Sequence, residues 1–269
     1  MAEPARLTPP PAEPLRLTPS LREKVWGRTR LTPWFPDSPS PIGEAWYLAD
    51  RDLPLLVKLL FTSEKLSVQV HPDDGEDGPR GKTEMWYILE ADAGAAIALG
   101  FRQPIGRERL LEATRSGEVE RLLNWMPVKP GETYFTPAHT VHAIGAGIVL
   151  FEIQQNSDVT YRLWDYGRPR EIHVDKAVAM ADLSVHPGAA PPGEPIRSKH
   201  FVTEFVRLGA GAETRPEPQA CQLWIVVEGE GAIGGQAFRQ GEVWLLPEDG
   251  PLAITARTAA RFLRTYVPR

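Results

Sequence analysis

Polar and apolar residues alternate strictly through Ser67-Val68-Gln69-Val70-His71, a pattern that suits an extended strand and no helix. With a period of two, Ser67, Gln69 and His71 share one face, and Val68 and Val70 turn the other way into apolar packing. Glu84 opens a second run, continuing from Met85 to Leu89, that is rich in aromatic and β-branched residues. A third stretch, Thr140-Val141-His142-Ala143, follows further on. Gln69, His71, Glu84 and His142 together make a four-donor set of nitrogen and oxygen for a divalent metal. Such a site is carried on sheet.

The chain has 269 residues, 42% of them hydrophobic, enough for one large β domain or two modest ones with a real core. A net charge of −5 without a long basic run points away from nucleic acid and from anionic membrane surfaces. The Pro-rich start lacks the apolar core of a signal peptide, and no stretch approaches the ~20 apolar residues of a membrane span. One cysteine, Cys221, excludes an internal disulfide and fits a reducing cytoplasm. Its setting reads as plain strand, so it is expected to be a small buried hydrophobe.

Residues 1–14 are Pro- and Ala-rich and expected to be loose; the ordered part begins at 15. Short β-like runs follow at 45–48, 55–61 and 66–71, then a charged, Gly-rich loop at 73–81, then strands at 86–89 and 95–101. Between 104 and 125 the pattern changes to two short helices, at 107–113 and 118–125, with Ser116 as the N-cap of the second. Strands resume at 133–136 and 148–155, a helix is expected at 174–182, and 183–199, with four prolines, reads as a linker. Strands at 201–208, 222–228, 242–246 and 262–267 complete the chain. Lys129-Pro130-Gly131-Glu132-Thr133-Tyr134-Phe135 and Gly241-Glu242-Val243-Trp244-Leu245 are turn-and-strand phrases of one shape. This weak internal repeat suggests two related jelly-roll (cupin) β-barrels, with metal-binding residues in 15–182 and a degenerate copy in 200–269 that lacks the histidines.

Imidazole and oxygen donors with one carboxylate suit Zn²⁺, one per chain, with Mn²⁺, Co²⁺ or Fe²⁺ as substitutes. The absence of thiolates and the weak Gln donor favour a catalytic, Lewis-acid site over a structural one. His139 lies an odd number of residues before His142, so both cannot point inward from one strand; His142 is read as the ligand and His139 as a turn residue. Glu152, Gln154, Asn156, Asp158, Thr160 and Arg162 are set against the largely apolar Phe151, Ile153, Val159, Tyr161 and Leu163, a period of two that would place the polar set on one face of a continuous strand lining the pocket. Arg162 would then be a cation beside a metal-bound, oxygen-rich substrate. Lys58, Ser67 and Lys82 would complete the polar cavity, Lys82 sharing the face of Glu84 two residues on.

These phrases, with Lys24-Val25-Trp26-Gly27, Pro54-Leu55-Leu56-Val57-Lys58, Gly81-Lys82-Thr83-Glu84-Met85-Trp86 and Thr160-Tyr161-Arg162, resemble the type I phosphomannose isomerase family in its short bacterial form. The resemblance covers about 15–182 closely and the remainder loosely. It implies a mainly β fold of two cupin barrels with a short helical excursion. It also implies a zinc site at Gln69, His71, Glu84 and His142, and a catalytic Arg162. Lys58, Ser67, Lys82, Glu152 and Asp158 fall at its substrate pocket. The implied reaction interconverts mannose 6-phosphate and fructose 6-phosphate through a cis-enediol; the cysteine usage adds the expectation of a cytoplasmic enzyme, and monomer and homodimer both stay open. Glu152 and Lys82 are among the candidates for moving the proton. Two departures stand out: Arg28 replaces a second glycine after Trp-Gly, and His139 replaces a glycine before Thr140. A non-catalytic sugar-phosphate-binding bicupin is the alternative, disfavoured by retention of Lys82, Glu152 and Arg162. An iron oxygenase would more often show three histidines, and Gln69 counts against it.

Overall fold

The structure, a computed structural model, describes residues 11–249 and 252–268; most of the loose segment expected at 1–14 lies outside them. Strands dominate: 21 of them and three short helices occur among the described residues. The chain forms two units. One comprises the described residues up to Ser20, Trp46–Val57 and the chain from Gly193 on; the other comprises Leu21–Ala45 and Lys58–Pro192. None of the helices is long and apolar enough to cross a membrane.

The larger unit is built on two antiparallel sheets, and three strands of the first have one end, at 18–20, 46–48 and 55–57, that counts with the other unit. The first runs in the order Thr18–Arg28, Ile42–Leu48, Leu55–Phe61, Ile148–Gln155, Glu84–Ala91, Thr133–Thr136. The second runs Tyr161–Trp164, Val68–Val70, His142–Ile144, Ala96–Phe101, Leu123–Pro127. Trp86, Ile88 and Leu150 of the first share a buried cluster with Ile97, Leu99 and Ile144 of the second. Every residue of Leu55–Phe61 and of Ile148–Gln155 is buried, as central strands with both faces covered must be. Lys58 and Glu152 are the charged residues in those two neighbouring strands, and they find each other.

Behind the second sheet, Val68 and Val70 pack with Leu110, Ala113, Val119 and Ala177 from the helices. This is the apolar face that the alternation at 67–71 requires. The helices differ from expectation at one point. Ser116 ends the helix Arg107–Ser116, and does not cap the next. Gly117 adopts φ +78° and returns its N–H to Ala113 and Thr114, a left-handed stop that glycine supplies without strain. The second helix is confined to Val119–Leu122, and Trp125 lies in a strand opposite Ala98. Sheet pairing there overrides a weak helical preference.

The expected continuous polar strand from 152 to 162 is also broken. Gln154 turns its side-chain amide onto the carbonyls of Gln155 and Ser157, both at 2.7 Å, and Ser157 N–H bonds to Gln155 O. A side-chain amide competing for main-chain carbonyls ends the ladder. The chain leaves the first sheet at Gln155 and enters the second at Tyr161. Glu152 and Arg162 therefore stand on different sheets.

In the other unit, one sheet runs Leu15–Arg16, Val243–Leu245, Ala220–Glu228, Ala260–Val267, Val202–Leu208, Ile196–Arg197. The second runs Glu213–Thr214, Ile254–Ala256, Glu230–Ile233, Gln236–Arg239. Trp224, Trp244 and Phe262 fill the core with Ile233, Phe238 and Ile254. The hairpin Glu230–Ile233/Gln236–Arg239, absent from the sequence reading, turns through Gly234 and Gly235 at φ +55° and +81°. Two successive positive φ values make the tight turn that suits strand twist.

Candidate metal centre

His142 pairs with Gln69 across neighbouring strands, and Gln69 pairs on its other side with Arg162. Residues directly opposite on a ladder point to the same face, so these three side chains form one row. His71 lies just past the end of Val68–Val70, and Glu84 begins the strand Glu84–Ala91 of the facing sheet. The result is convergence: ligating atoms of His71, Glu84 and His142 lie within 4.8 Å of one another, all three buried. Glu84 Oε1 is 3.4 Å from His142 Nε2, and Oε2 is 3.7 Å from His71 Nε2.

The imidazoles are oriented for ligation. His71 Nδ1–H donates to Val159 O at 2.9 Å and His142 Nδ1–H to Thr140 O at 2.8 Å. Each ring thus keeps the lone pair of Nε2 facing the cluster, the arrangement by which outer hydrogen bonds fix metal-binding histidines. Burial, then the ammonium of Lys82, holds His71 well below its ordinary pKa, and burial brings His142 down to about 4. Both rings are neutral at pH 7. Gln69 Nε2 stands 3.2 Å from His142 Nε2 while Ser67 Oγ donates to Gln69 Oε1 at 3.0 Å. Turning that amide over presents its carbonyl to the same point and leaves Ser67 as an acceptor.

Lysines and a second carboxylate surround this group. Lys82 Nζ is 2.5 Å from Glu84 Oε2, 3.1 Å from His71 Nε2 and 3.7 Å from Glu152 Oε1. Lys58 Nζ is 3.1 Å from Glu152 Oε1. Burial pushes the Glu84 carboxyl up against the opposing pull of Lys82. Burial acts on Glu152 in the same sense, but Lys58 and Lys82 overcome it and hold that carboxyl below the usual range. Lys82 in turn stays protonated because Glu152 and Glu84 outweigh its desolvation.

A divalent ion fits this donor set. Glu84 Oε1 is buried without a hydrogen-bond partner, and two neutral imidazole lone pairs face it. An unpartnered buried carboxylate oxygen costs free energy that a cation at this point removes. His71, Glu84 and His142 thus form a candidate metal site.

Comparison with known proteins places the chain. No protein-family model matches it. The mannose-6-phosphate isomerase of Streptococcus mutans is 31% identical across 91% of this chain and 98% of its own length. That of Bacillus subtilis is 32% identical across 87% and 93%. The chain belongs to the mannose-6-phosphate isomerase family. The crystal structure of the Bacillus subtilis mannose 6-phosphate isomerase superposes with a TM-score of 0.82 at 28% identity, covering 95% of this chain and 100% of the other. An Archaeoglobus fulgidus protein described as a putative mannosephosphate isomerase shares the fold, with a TM-score of 0.79 at 19% identity.

Against this family background, the remaining candidates divide. Arg162 is half-buried; its Nε is buried without a partner, and burial followed by Arg170 lowers its pKa. Asp158 is exposed in the connection between the sheets, close enough to Arg162 to act on its charge. His139 lies outside the metal cluster, at φ +71°, with Nε2 2.7 Å from Glu76 Oε2. The other departure, Arg28, donates from Nε to Thr62 O and lies 3.6 Å from Asp92. Sequence reasoning missed Trp86, whose Nε1–H donates to Glu152 Oε2 at 3.3 Å and whose ring meets His142 edge-on at 5.5 Å. Its place two residues after Glu84, on the same face of a strand, was the available signal. The carbonyls of Thr140 and Val159 carried no signal at all.

Proposed function

We propose that the buried cluster isomerises mannose 6-phosphate to fructose 6-phosphate through a cis-enediol, with one Zn²⁺ held by Gln69, His71, Glu84 and His142. Family membership makes the chain an isomerase of mannose 6-phosphate; the proposal concerns the metal and the residues. When bound, the ion supplies Lewis acidity to the sugar's carbonyl and hydroxyl oxygens. Everything else is the work of side chains. Glu152, kept ionised by Lys58 and Lys82, accepts from a sugar hydroxyl, and the Lys82 ammonium donates to a sugar oxygen. Ser67 orients Gln69. Arg162, in line with Gln69 and His142, places a guanidinium beside the charge that develops on the enediolate, and Asp158 steadies that guanidinium from the rim. We read each two-sheet unit as a cupin barrel, the first bearing the metal. A phosphorylated substrate and a lone cysteine fit a cytoplasmic enzyme.

The observation that carries this reading is the pair of imidazoles fixed with Nε2 inward around an unpartnered Glu84 oxygen. A coupled isomerase assay on metal-stripped protein should show activity lost and then restored by Zn²⁺. Full activity in a verified metal-free sample would remove the metal from the reaction.

A further inference from the structure

We propose that His139 is a positioning residue, which latches loop 73–81 at the edge of the metal site through Glu76. The inference rests on the isomerase reading above for its kinetic consequence, though not for its structural one. His139 holds a left-handed backbone at φ +71°, a conformation that glycine adopts freely and a side chain does not. The strained residue is pinned three ways. Its N–H donates to His71 O at 2.8 Å, and its carbonyl accepts from Asp182 N–H at 2.8 Å. Its imidazole meets Glu76 Oε2 at 2.7 Å. A non-glycine residue kept in such a conformation points to a contact made by its side chain.

That contact is with the loop. Residues 73–81 leave the cluster just after His71 and re-enter it just before Lys82. The neck is closed by Lys82 N–H to Pro72 O at 3.0 Å and by Asp74 Oδ1, which accepts from Gly81 N–H and Gln155 Nε2–H. The tip is looser. Gly75 and Gly78 have positive φ, and a Cβ added at either would meet nothing within 4 Å. Glu76 Oε2 accepts from Asp73 N–H as well as facing His139, and Asp77 makes an exposed pair with Lys176 at 3.5 Å. Through Glu76, His139 therefore joins the tip to the same backbone that carries His71. Freedom in the loop passes along the chain to Lys82, whose ammonium lies between Glu84, His71 and Glu152.

The test compares His139→Gly, which keeps the backbone and deletes the imidazole, with Glu76→Ala, their double variant, and His139→Asn, which tolerates the left-handed backbone but is shorter. Two readouts are taken on the Zn²⁺-loaded protein: amide hydrogen exchange across 73–81, and KM and kcat for mannose 6-phosphate. Each single variant should exchange faster in the loop and raise KM about two- to fivefold, the scale of a partly exposed polar pair, with kcat within about twofold. The double variant should add nothing to Glu76→Ala, because both changes break the His139–Glu76 link and Glu76→Ala already loses the bond from Asp73 N–H as well. Unchanged exchange, additive effects, or a fall in kcat at constant KM would each overturn the proposal. Faster exchange with KM unmoved would overturn the positioning role. Should the wild-type protein prove inactive on mannose 6-phosphate, the isomerase reading falls, and exchange alone still decides whether the latch exists.

Discussion

The two units of this chain use the same kind of antiparallel, two-sheet construction and fill it in opposite ways. In the C-terminal unit, Trp224 and Phe238 both meet Phe262 edge-on, at 5.2 Å between ring centres. A buried polar contact there is the hydroxyl pair Thr203–Thr265. In the unit with the candidate metal site, buried space holds Lys58, Lys82, Glu84 and Glu152 with two imidazoles. Taking charges out of water costs several kcal/mol per ion, and pairing returns only part of it. Rings fill space and stabilise; buried charges do so poorly. The difference teaches that scaffold and site are separable, with function residing in the residues presented on one face.

The largest effect should come from opening the aromatic core. Trp224→Ala should cost ~3–5 kcal/mol in chemical denaturation, the scale for large-to-small core changes. Elemental analysis should still find one metal ion per chain, and two in the wild-type protein would break the contrast between the units. Next, Arg162→Ala should lower kcat by ~10²–10³ with metal and fold retained, as expected for one donor to an oxyanion. Arg162→Lys should recover only part, since a point charge cannot reproduce the planar fork. A raised KM with unchanged kcat would make Arg162 a substrate anchor.

Removing a ligand comes third: His142→Ala should bind metal at least ~10-fold more weakly in a competition titration. His142 also gives the metal-free protein a pH signature. Its folded pKa is depressed to about 4, so below the ordinary value of 6.5 the unfolded chain takes up a proton that the folded one refuses. Stability therefore falls as pH drops from 6.5 towards 4, and the slope should be shallower in His142→Ala. The smallest effect belongs to the surface of the C-terminal unit. Arg261 Nε is 2.5 Å from Glu228 Oε2 with both side chains about half exposed, and Arg261→Ala should change stability by less than ~1 kcal/mol.

Much of this molecule was legible in its sequence, and the reason is local. Strands at 55–61, 133–136 and 148–155 were bounded as they stand in the structure, because burial on one or both faces leaves a periodic trace that needs no knowledge of the partner. Residue type and strand parity singled out Gln69, His71, Glu84 and His142 as candidates, and His71, Glu84 and His142 converge in the structure. Other features were decided only in three dimensions. The left-handed stop at Gly117 and the pairing of Trp125 with Ala98 redrew the second helix. The amide of Gln154, bonding to main-chain carbonyls, divided the polar run between two sheets. That crossing sets Arg162 beside Gln69 rather than in line with Glu152. The carbonyls of Val159 and Thr140, which set the tautomers of the two histidines, could not be read beforehand, since every residue carries a carbonyl and only folding determines where it points. Sequence determined which side chains this protein has to work with. Tertiary structure decided their neighbours, because hydrogen bonds and charge pairs act over a few ångströms between residues as distant in the chain as His71 and Val159.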